Sequence, residues 1–281
     1  MFRRTFVASV LAVVLAGAAL VAPAAVAPAD AATRTVSAKT LLRQLPVKSE
    51  SNSGYARSKF KHWVDTADRD RCDAREEVLL AEAVKKPRTS KKTCAISGGK
   101  WRSKYDGRTT RNKSSFDIDH MVPLHEAWGS GAKKWTPSTR QAFANDLGYG
   151  ASLIAVSAKS NRSKGSRDVA GWLPPAKSYR CTYTKHFVAV KWRWGLSVNP
   201  GEKKAITKQL NKCSNVKVTK PRKATVKRAS STSSRPQASK PWNRPGPDLD
   251  CSDIRQKVRV YPPDYHRLDA DGDGWGCVSY G

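Results

Sequence analysis

The stretch Phe116-Asp117-Ile118-Asp119-His120-Met121-Val122-Pro123-Leu124 decides how this chain is read. A carboxylate stands directly before a histidine, and a proline follows three residues later. With His120 at the end of a strand, Asp119 and His120 point to opposite faces. One can then hold a cation while the other faces a water. Hydrolysis of a phosphodiester needs both tasks. A base takes the proton of the attacking water, and a hard cation offsets charge on phosphate and leaving oxygen. Histidine suits the first task because its ordinary pKa is near neutrality. Aspartate suits the second because Mg²⁺ prefers oxygen ligands.

A second stretch carries Asn161, 41 residues beyond His120. Leu153-Ile154-Ala155-Val156 reads as a short apolar strand, and Ser157-Ala158-Lys159-Ser160-Asn161-Arg162-Ser163-Lys164-Gly165 follows it. The separation leaves room for a hairpin and a helix that fold back onto Asp119-His120. Asn161 is then placed to give a neutral oxygen ligand beside Asp119, and Lys164 to bind phosphate.

The whole chain fits such a task. It has 281 residues, with 52 Lys+Arg against 23 Asp+Glu and a formal net charge of +29. That excess predicts a polyanionic partner: nucleic acid, an anionic membrane surface or an acidic wall polymer. Residues 1–31 read as a signal peptide, with Arg3 and Arg4 ahead of the apolar run Phe6 to Val21 and Ala29-Asp30-Ala31 as the cleavage site. An uncleaved anchor is the alternative. No later apolar run is long enough to span a bilayer, so stable membrane insertion after cleavage is not expected. Export puts Cys72, Cys94, Cys181, Cys213, Cys251 and Cys277 in an oxidising compartment. Nearest-neighbour pairing is favoured among the fifteen pairings open to six cysteines.

Four regions follow the signal. Residues 32–53 read as a mobile lead-in, and 54–213 as the compact domain. Residues 214–247, rich in Lys, Arg, Ser, Thr and Pro, read as a disordered basic linker. Residues 248–281 read as a small terminal module. Within the domain, Tyr55–Asp65, Arg75–Val84, Leu124–Gly129, Ser138–Leu147 and Glu202–Leu210 read as helices. Ser160–Ser166 is a helix start or a tight loop, and Phe187–Trp194 is strand or helix. The class is mixed α+β, and the tryptophans are assigned to the core rather than to base stacking.

Asp119-His120-Met121-Val122-Pro123-Leu124, Glu126-Ala127-Trp128, Ser130-Gly131-Ala132, Phe143-Ala144-Asn145-Asp146-Leu147, Asn161-Arg162-Ser163-Lys164-Gly165 and Trp172-Leu173-Pro174-Pro175 together resemble the HNH, or His-Me finger, nucleases. The likeness is to the secreted branch with an Asp-His-x-x-Pro core. Cys72-Asp73-Ala74-Arg75-Glu76-Glu77-Val78-Leu79 and Tyr105-Asp106-Gly107 extend it upstream. The resemblance implies a ββα-metal core around one divalent ion, Mg²⁺ or else Mn²⁺ or Zn²⁺. It also implies His120 as general base, with Asp119 and Asn161 as metal ligands. The family's middle asparagine, which orients the base, has no counterpart near Ala151-Ser152, so Ser152 or Asn145 is expected to substitute. His125 is a solvent-facing helix residue or an auxiliary base or ligand.

In the terminal module, Asp269-Ala270-Asp271-Gly272-Asp273-Gly274 places acids at loop positions 1, 3 and 5 and glycine at 6, with the Trp275 carbonyl at 7. That is the opening of an EF-hand calcium loop. With Cys251, Leu268 and Cys277 it resembles the excalibur domain, an extracellular calcium-binding module. Tyr280 and Val278 stand where two acids are expected, which implies weak Ca²⁺ binding, in the range of about 10⁻⁴–10⁻³ M.

The expectation is a monomeric, secreted, metal-dependent endonuclease acting on DNA, RNA or both with little sequence preference. It would be extracellular or associated with the cell wall. The alternatives are a non-catalytic cationic protein that holds wall polymer or nucleic acid, and a toxin-like nuclease.

Overall fold

The computed structural model describes residues 34–65, 70–229 and 240–280. The proposed signal peptide, residues 230–239 of the expected linker and Gly281 lie outside them.

In chain order the elements are β1 (Thr35–Ser37), α1 (Ala38–Arg43), α2 (Ala74–Ala81), β2 (Arg88–Thr89), β3 (Ile96–Ser97), β4 (Trp101–Arg102), β5 (Thr109–Thr110), β6 (Phe116–His120), α3 (Leu124–Gly129), α4 (Pro137–Ala144), β7 (Leu153–Ser157), α5 (Ala158–Lys164), α6 (Arg180–Trp194), α7 (Pro200–Asn211), β8 (Lys217–Thr219), α8 (Cys251–Ile254), β9 (Val258–Arg259) and β10 (Trp275–Gly276). Among the described residues the sheets are all two-stranded, so the class is α+β with small ribbons. The three disulfides are Cys72–Cys94, Cys181–Cys213 and Cys251–Cys277, the nearest-neighbour set.

β6 and β7 organise the domain. They pair antiparallel from Phe116↔Ser157 to His120↔Leu153, and α5 follows β7 directly. Every residue of β7 is buried. Ile154 and Val156 join the larger core, with Leu41, Phe143, Phe187 and Leu210. Leu153 and Ala155 join the smaller one, with Trp101, Phe116 and Ile118. A strand's period of two sends alternate side chains to opposite faces. The ribbon therefore divides two cores, and β7 reads as an unbroken apolar run because neither of its faces meets water.

α6 shows why Phe187–Trp194 was ambiguous between strand and helix. From Tyr183 to Trp194 it is buried on nearly every side, so no polar stripe marks a helical period. Gly195, at φ +63°, caps its end. α2 begins one residue before the expected start, where Asp73 and Glu76 form a reciprocal capping box. α5 resolves Ser160–Ser166 as helix, with Ser157 as its N-cap.

Three expectations need correction. Tyr55–Asp65 is not a helix. It holds a single 3₁₀ turn at Arg57–Lys59 and runs extended across the domain, with Trp63 at φ +57°. Asn145 holds it there, accepting from Val64 N and donating to Lys61 O. Residues 35–45 are no mobile lead-in, because α1 buries Leu41 and Leu42 in the larger core. Nor is the start of the basic linker free, since β8 pairs with β1 and Val218 is buried. Sequence reasoning missed both because a short strand gains its partner only from the far end of the chain.

Candidate active site

β6 ends on His120, which carries Asp119 to one face of the ribbon and His120 to the other. Both are buried to about 95 %. Pro123 caps the start of α3, while α5 brings Asn161 to the same cleft. The result is a cleft of about 410 Å³ whose walls include Tyr55, Arg57, Asp119, His120, His125 and Asn161.

His120 is fixed through its ring. Its Nε2 lies 2.9 Å from the Ala144 carbonyl oxygen at the end of α4. A carbonyl only accepts, so Nε2 carries the proton. In the neutral ring Nδ1 is then the lone-pair nitrogen. Trp63 stacks on this ring with centroids 5.4 Å apart, and Phe143 lies nearly parallel to it at 6.5 Å. Burial pushes the His120 pKa down to about 3, against the Ala144 hydrogen bond, which raises it. The imidazole is therefore neutral at pH 7, with the Nδ1 lone pair unprotonated.

The two residues expected to orient this base do other work. Ser152 Oγ donates to Asp146 Oδ2, and its carbonyl accepts from Met121 N. Asn145 holds the 61–64 segment and donates to Gln141 O. Neither bonds the imidazole. The Ala144 main chain does, and a backbone carbonyl leaves no mark in side-chain identity. Asn145 acts one step removed, through the segment that carries Trp63.

Asp119 uses one oxygen for the protein. Oδ2 accepts from Tyr105 Oη at 2.6 Å and from Lys164 Nζ at 2.6 Å. Among the described residues Oδ1 has no hydrogen bond. Burial pushes the Asp119 carboxyl up and the Lys164 ammonium down, and their mutual attraction opposes both shifts. Asn161 Nδ2 donates to Asp117 Oδ2 at 3.0 Å, which turns its carbonyl oxygen the other way. A carboxylate oxygen and an amide oxygen in one cleft make a donor set for a hard cation.

Lys164 does not face phosphate, as the sequence suggested. It is wholly buried, and its ammonium donates to Asp119 Oδ2, His120 O and Met121 O. Those three bonds use all its protons and lock the turn after β6. The cations that do line the cleft are Arg57 and Arg162. Arg57 is exposed and without an ion pair among the described residues, and its charge is felt by His120. Nothing in the sequence signalled it, because its segment read as helix. His125 lines the cleft with its ring edge-on to Tyr55 at 4.8 Å.

Behind α3 a buried charge cluster braces the site. Lys191 Nζ lies 2.6 Å from Glu126 Oε1 and 2.5 Å from Glu202 Oε1. Burial pushes the Glu202 carboxyl up to about 8 and that of nearby Glu50 up to about 7.

In the terminal module Asp269, Asp271 and Asp273 bring carboxylate oxygens within 4.8 Å of one another. Gly272 and Gly274 take positive φ, at +71° and +81°, as a tight acidic loop requires. Asp269 Oδ2 accepts from Gly274 N, while Asp269 Oδ1 is buried without a partner among the described residues. Trp275 N donates to Asp273 Oδ1.

Residues 70–209 match the family model described as GmrSD restriction endonucleases, C-terminal domain. An uncharacterized secreted protein of Arthroderma benhamiae is 41 % identical over 204 residues, which cover 72 % of this chain and 98 % of that protein. No solved structure matches the chain. Among the described residues, no helix is long and apolar enough to cross a membrane.

Proposed function

From a chain that belongs to the family of the Arthroderma benhamiae secreted protein, and that is related to nucleases through the GmrSD restriction endonuclease C-terminal domain, we propose a secreted, metal-dependent endonuclease of the HNH type. It hydrolyses phosphodiester bonds of DNA, RNA or both. The observation that carries this reading is the His120 ring, tied at Nε2 to Ala144 O in a cleft shared with Asp119 and Asn161. β6, β7 and α5 are then a ββα-metal core.

His120 Nδ1 takes the proton of the attacking water. Asp119 Oδ1 and the Asn161 amide oxygen would hold Mg²⁺, Mn²⁺ or another divalent ion. When bound, that ion supplies charge stabilisation at the phosphate and the leaving oxygen. Lys164 and Tyr105 keep Asp119 from rotating, so its free oxygen stays aimed into the cleft. Arg57, which lines the same cleft, attracts the phosphate. Arginine contacts of this kind go to phosphate and read no base, which supports loose sequence preference.

The loop Asp269–Gly274 is the proposed Ca²⁺ site, with the Trp275 carbonyl as a further ligand. The buried Asp269 Oδ1, which has no partner among the described residues, supports it. The missing acids at Val278 and Tyr280 place it among weak extracellular sites. Action outside the cell, or at an acidic wall, follows from the signal-like N-terminus and the cationic charge.

The test is cleavage of supercoiled plasmid and of RNA across Mg²⁺, Mn²⁺, Zn²⁺ and Ca²⁺. Nicking by the wild type that His120→Ala abolishes, with its disulfides and circular dichroism kept, is the expected result. Intact nucleic acid with every metal would leave a non-catalytic cationic protein.

A further inference from the structure

The sequence reads the region after Cys213 as a loose basic tether, yet residues 215–229 are bound to the domain along their whole length. This segment holds Lys217, Lys220, Arg222, Lys223, Lys227 and Arg228 and no acidic residue. Its β8 pairs with β1, with Thr219 opposite Thr35 and Lys217 opposite Ser37. Further along, Ala224 N donates to Arg193 O, Lys227 O accepts from Thr136 N, and Ala229 N donates to Lys134 O. Lys227 N donates to Thr139 Oγ1.

The strap has two faces. Val218 and Pro221 are buried, and Val216, Ala224 and Val226 are half-buried. All six cations are exposed. Lys220 and Lys223 lie over the Trp192 ring, at 4.9 Å and 3.8 Å. The side chains of Lys217, Arg222, Lys227 and Arg228 have no hydrogen bond and no ion pair among the described residues. A row of like charges held in fixed positions repels itself unless a polyanion meets it.

The strap also lies near the base. Arg222, Lys223 and Thr225 line one wall of a second cleft of about 690 Å³. Gln141 and Asn145, on and just after α4, line it as well. The same helix ends in Ala144, whose carbonyl holds His120.

We propose that residues 215–229 form a fixed cationic rail that holds the sugar–phosphate backbone of duplex nucleic acid beside the cleft. This rests on the nuclease reading of that cleft. From Lys217 to Arg228 the rail reaches at most about 40 Å, close to one duplex turn of roughly 34–36 Å. Contacts of this kind position a duplex and read no sequence.

The experiment compares two full-length variants of equal charge. The rail variant carries Lys217→Gln, Arg222→Gln, Lys227→Gln and Arg228→Gln. The control carries Lys85→Gln, Lys86→Gln, Lys91→Gln and Lys92→Gln, all exposed and outside the strap. A labelled 30-base-pair duplex is titrated from 50 to 200 mM salt without divalent metal. In the rail variant the slope of log K against log salt is expected to fall by about 3–4, at about 0.9 for each phosphate that is no longer neutralised. The control should hold its slope. With Mg²⁺, KM for plasmid should rise at least tenfold in the rail variant. Hydrolysis of bis(p-nitrophenyl) phosphate, which reaches only the cleft, should stay within twofold.

Equal slope changes in the two variants would overturn the rail, since bulk charge would then explain binding. So would a rail variant that keeps its duplex affinity and loses only inorganic polyphosphate, the probe for an acidic wall polymer. Should the fourfold variant misfold, Arg222→Gln with Arg228→Gln alone still lowers the slope by about 2 if the rail is real. Duplex binding that follows the rail without cleavage by any form would sink the nuclease reading and spare the rail. Cleavage with unaltered slopes would do the reverse.

Discussion

The Asp119–Asn161 cleft and the Asp269–Gly274 loop both gather oxygen donors, and they are built in opposite ways. The cleft is assembled from far apart in the chain. Lys164 reaches back 45 residues to Asp119, and Asn161 reaches 44 to Asp117. The loop is built almost within itself, since Gly274 N bonds Asp269 and Trp275 N bonds Asp273. A site made from long-range contacts takes its rigidity from the core, and its donors stay aimed when nothing is bound. A local acidic loop is held by its own turn, by near neighbours such as Asp264 and Arg259, by the short β9–β10 pair and by one disulfide. Mutations should therefore cost the cleft far more than the loop.

The largest effect is expected at the base. His120→Ala should lower plasmid cleavage by about 10²–10⁴-fold, the usual contribution of a positioned general base. His120→Ala that cleaves at the wild-type rate would mean the cleft is not the place of reaction. Lys164→Met should come next. It strips Asp119 of its buried partner, which costs about 3–5 kcal/mol. Thermal unfolding of the metal-free protein reads this directly, and an unchanged midpoint would show that the pair holds nothing in place.

Stability should fall on both sides of neutrality, for separate reasons. His120 has its pKa lowered in the folded state to about 3, from an ordinary value of 6.5. The unfolded chain then binds more protons at this position, so stability is lost as pH falls from 6.5 toward 3. Glu50 and Glu202 have raised values, near 7 and 8 against 4.5. Their contribution is whole below 4.5 and is lost as pH rises through 7 to 8. Glu202→Gln should flatten the alkaline limb in a melting series and leave the acid limb as it was.

Asn145→Ala separates positioning from chemistry. It removes three hydrogen bonds, two of which hold the 61–64 segment, each worth about 0.5–1.5 kcal/mol. Trp63 then loses its fixed stack on His120. The expected result is a fall in kcat of about tenfold, near 1.4 kcal/mol, with KM little changed. An equal loss in Ser152→Ala would point instead to the Asp146 network.

The same contrast explains what the sequence made legible. The strand ending at His120 and the apolar β7 could be read because each is continuous and strongly patterned, while the polar segment carrying Asn161 stayed open between helix and loop until α5 resolved it. The cysteine pairs could be read because each closes within one segment. The loop could be read because its spacing alone implies its geometry. What escaped reading depends on partners distant in sequence. Lys164 looks like a free cation until Asp119 and two carbonyls surround it. Ala144 offers only a carbonyl, and the 55–65 segment looks helical until Asn145 holds it extended. The 215–229 strap has the composition of a disordered chain, and its order comes from β1 and α4.

The smallest effect should be at the loop, and it tests the comparison from the weak side. If Asp269, Asp271 and Asp273 bind Ca²⁺ with a dissociation constant near 10⁻³ M, 10 mM Ca²⁺ stabilises the module by about 1.4 kcal/mol. Trp275 adjoins the loop and is 40 % exposed, so its fluorescence is a usable reporter. Asp271→Asn should abolish the Ca²⁺ response and leave the rate of plasmid cleavage in Mg²⁺ unchanged. A micromolar affinity would mean that the loop is as well organised as the cleft, and that locality of construction does not set the strength of these two sites.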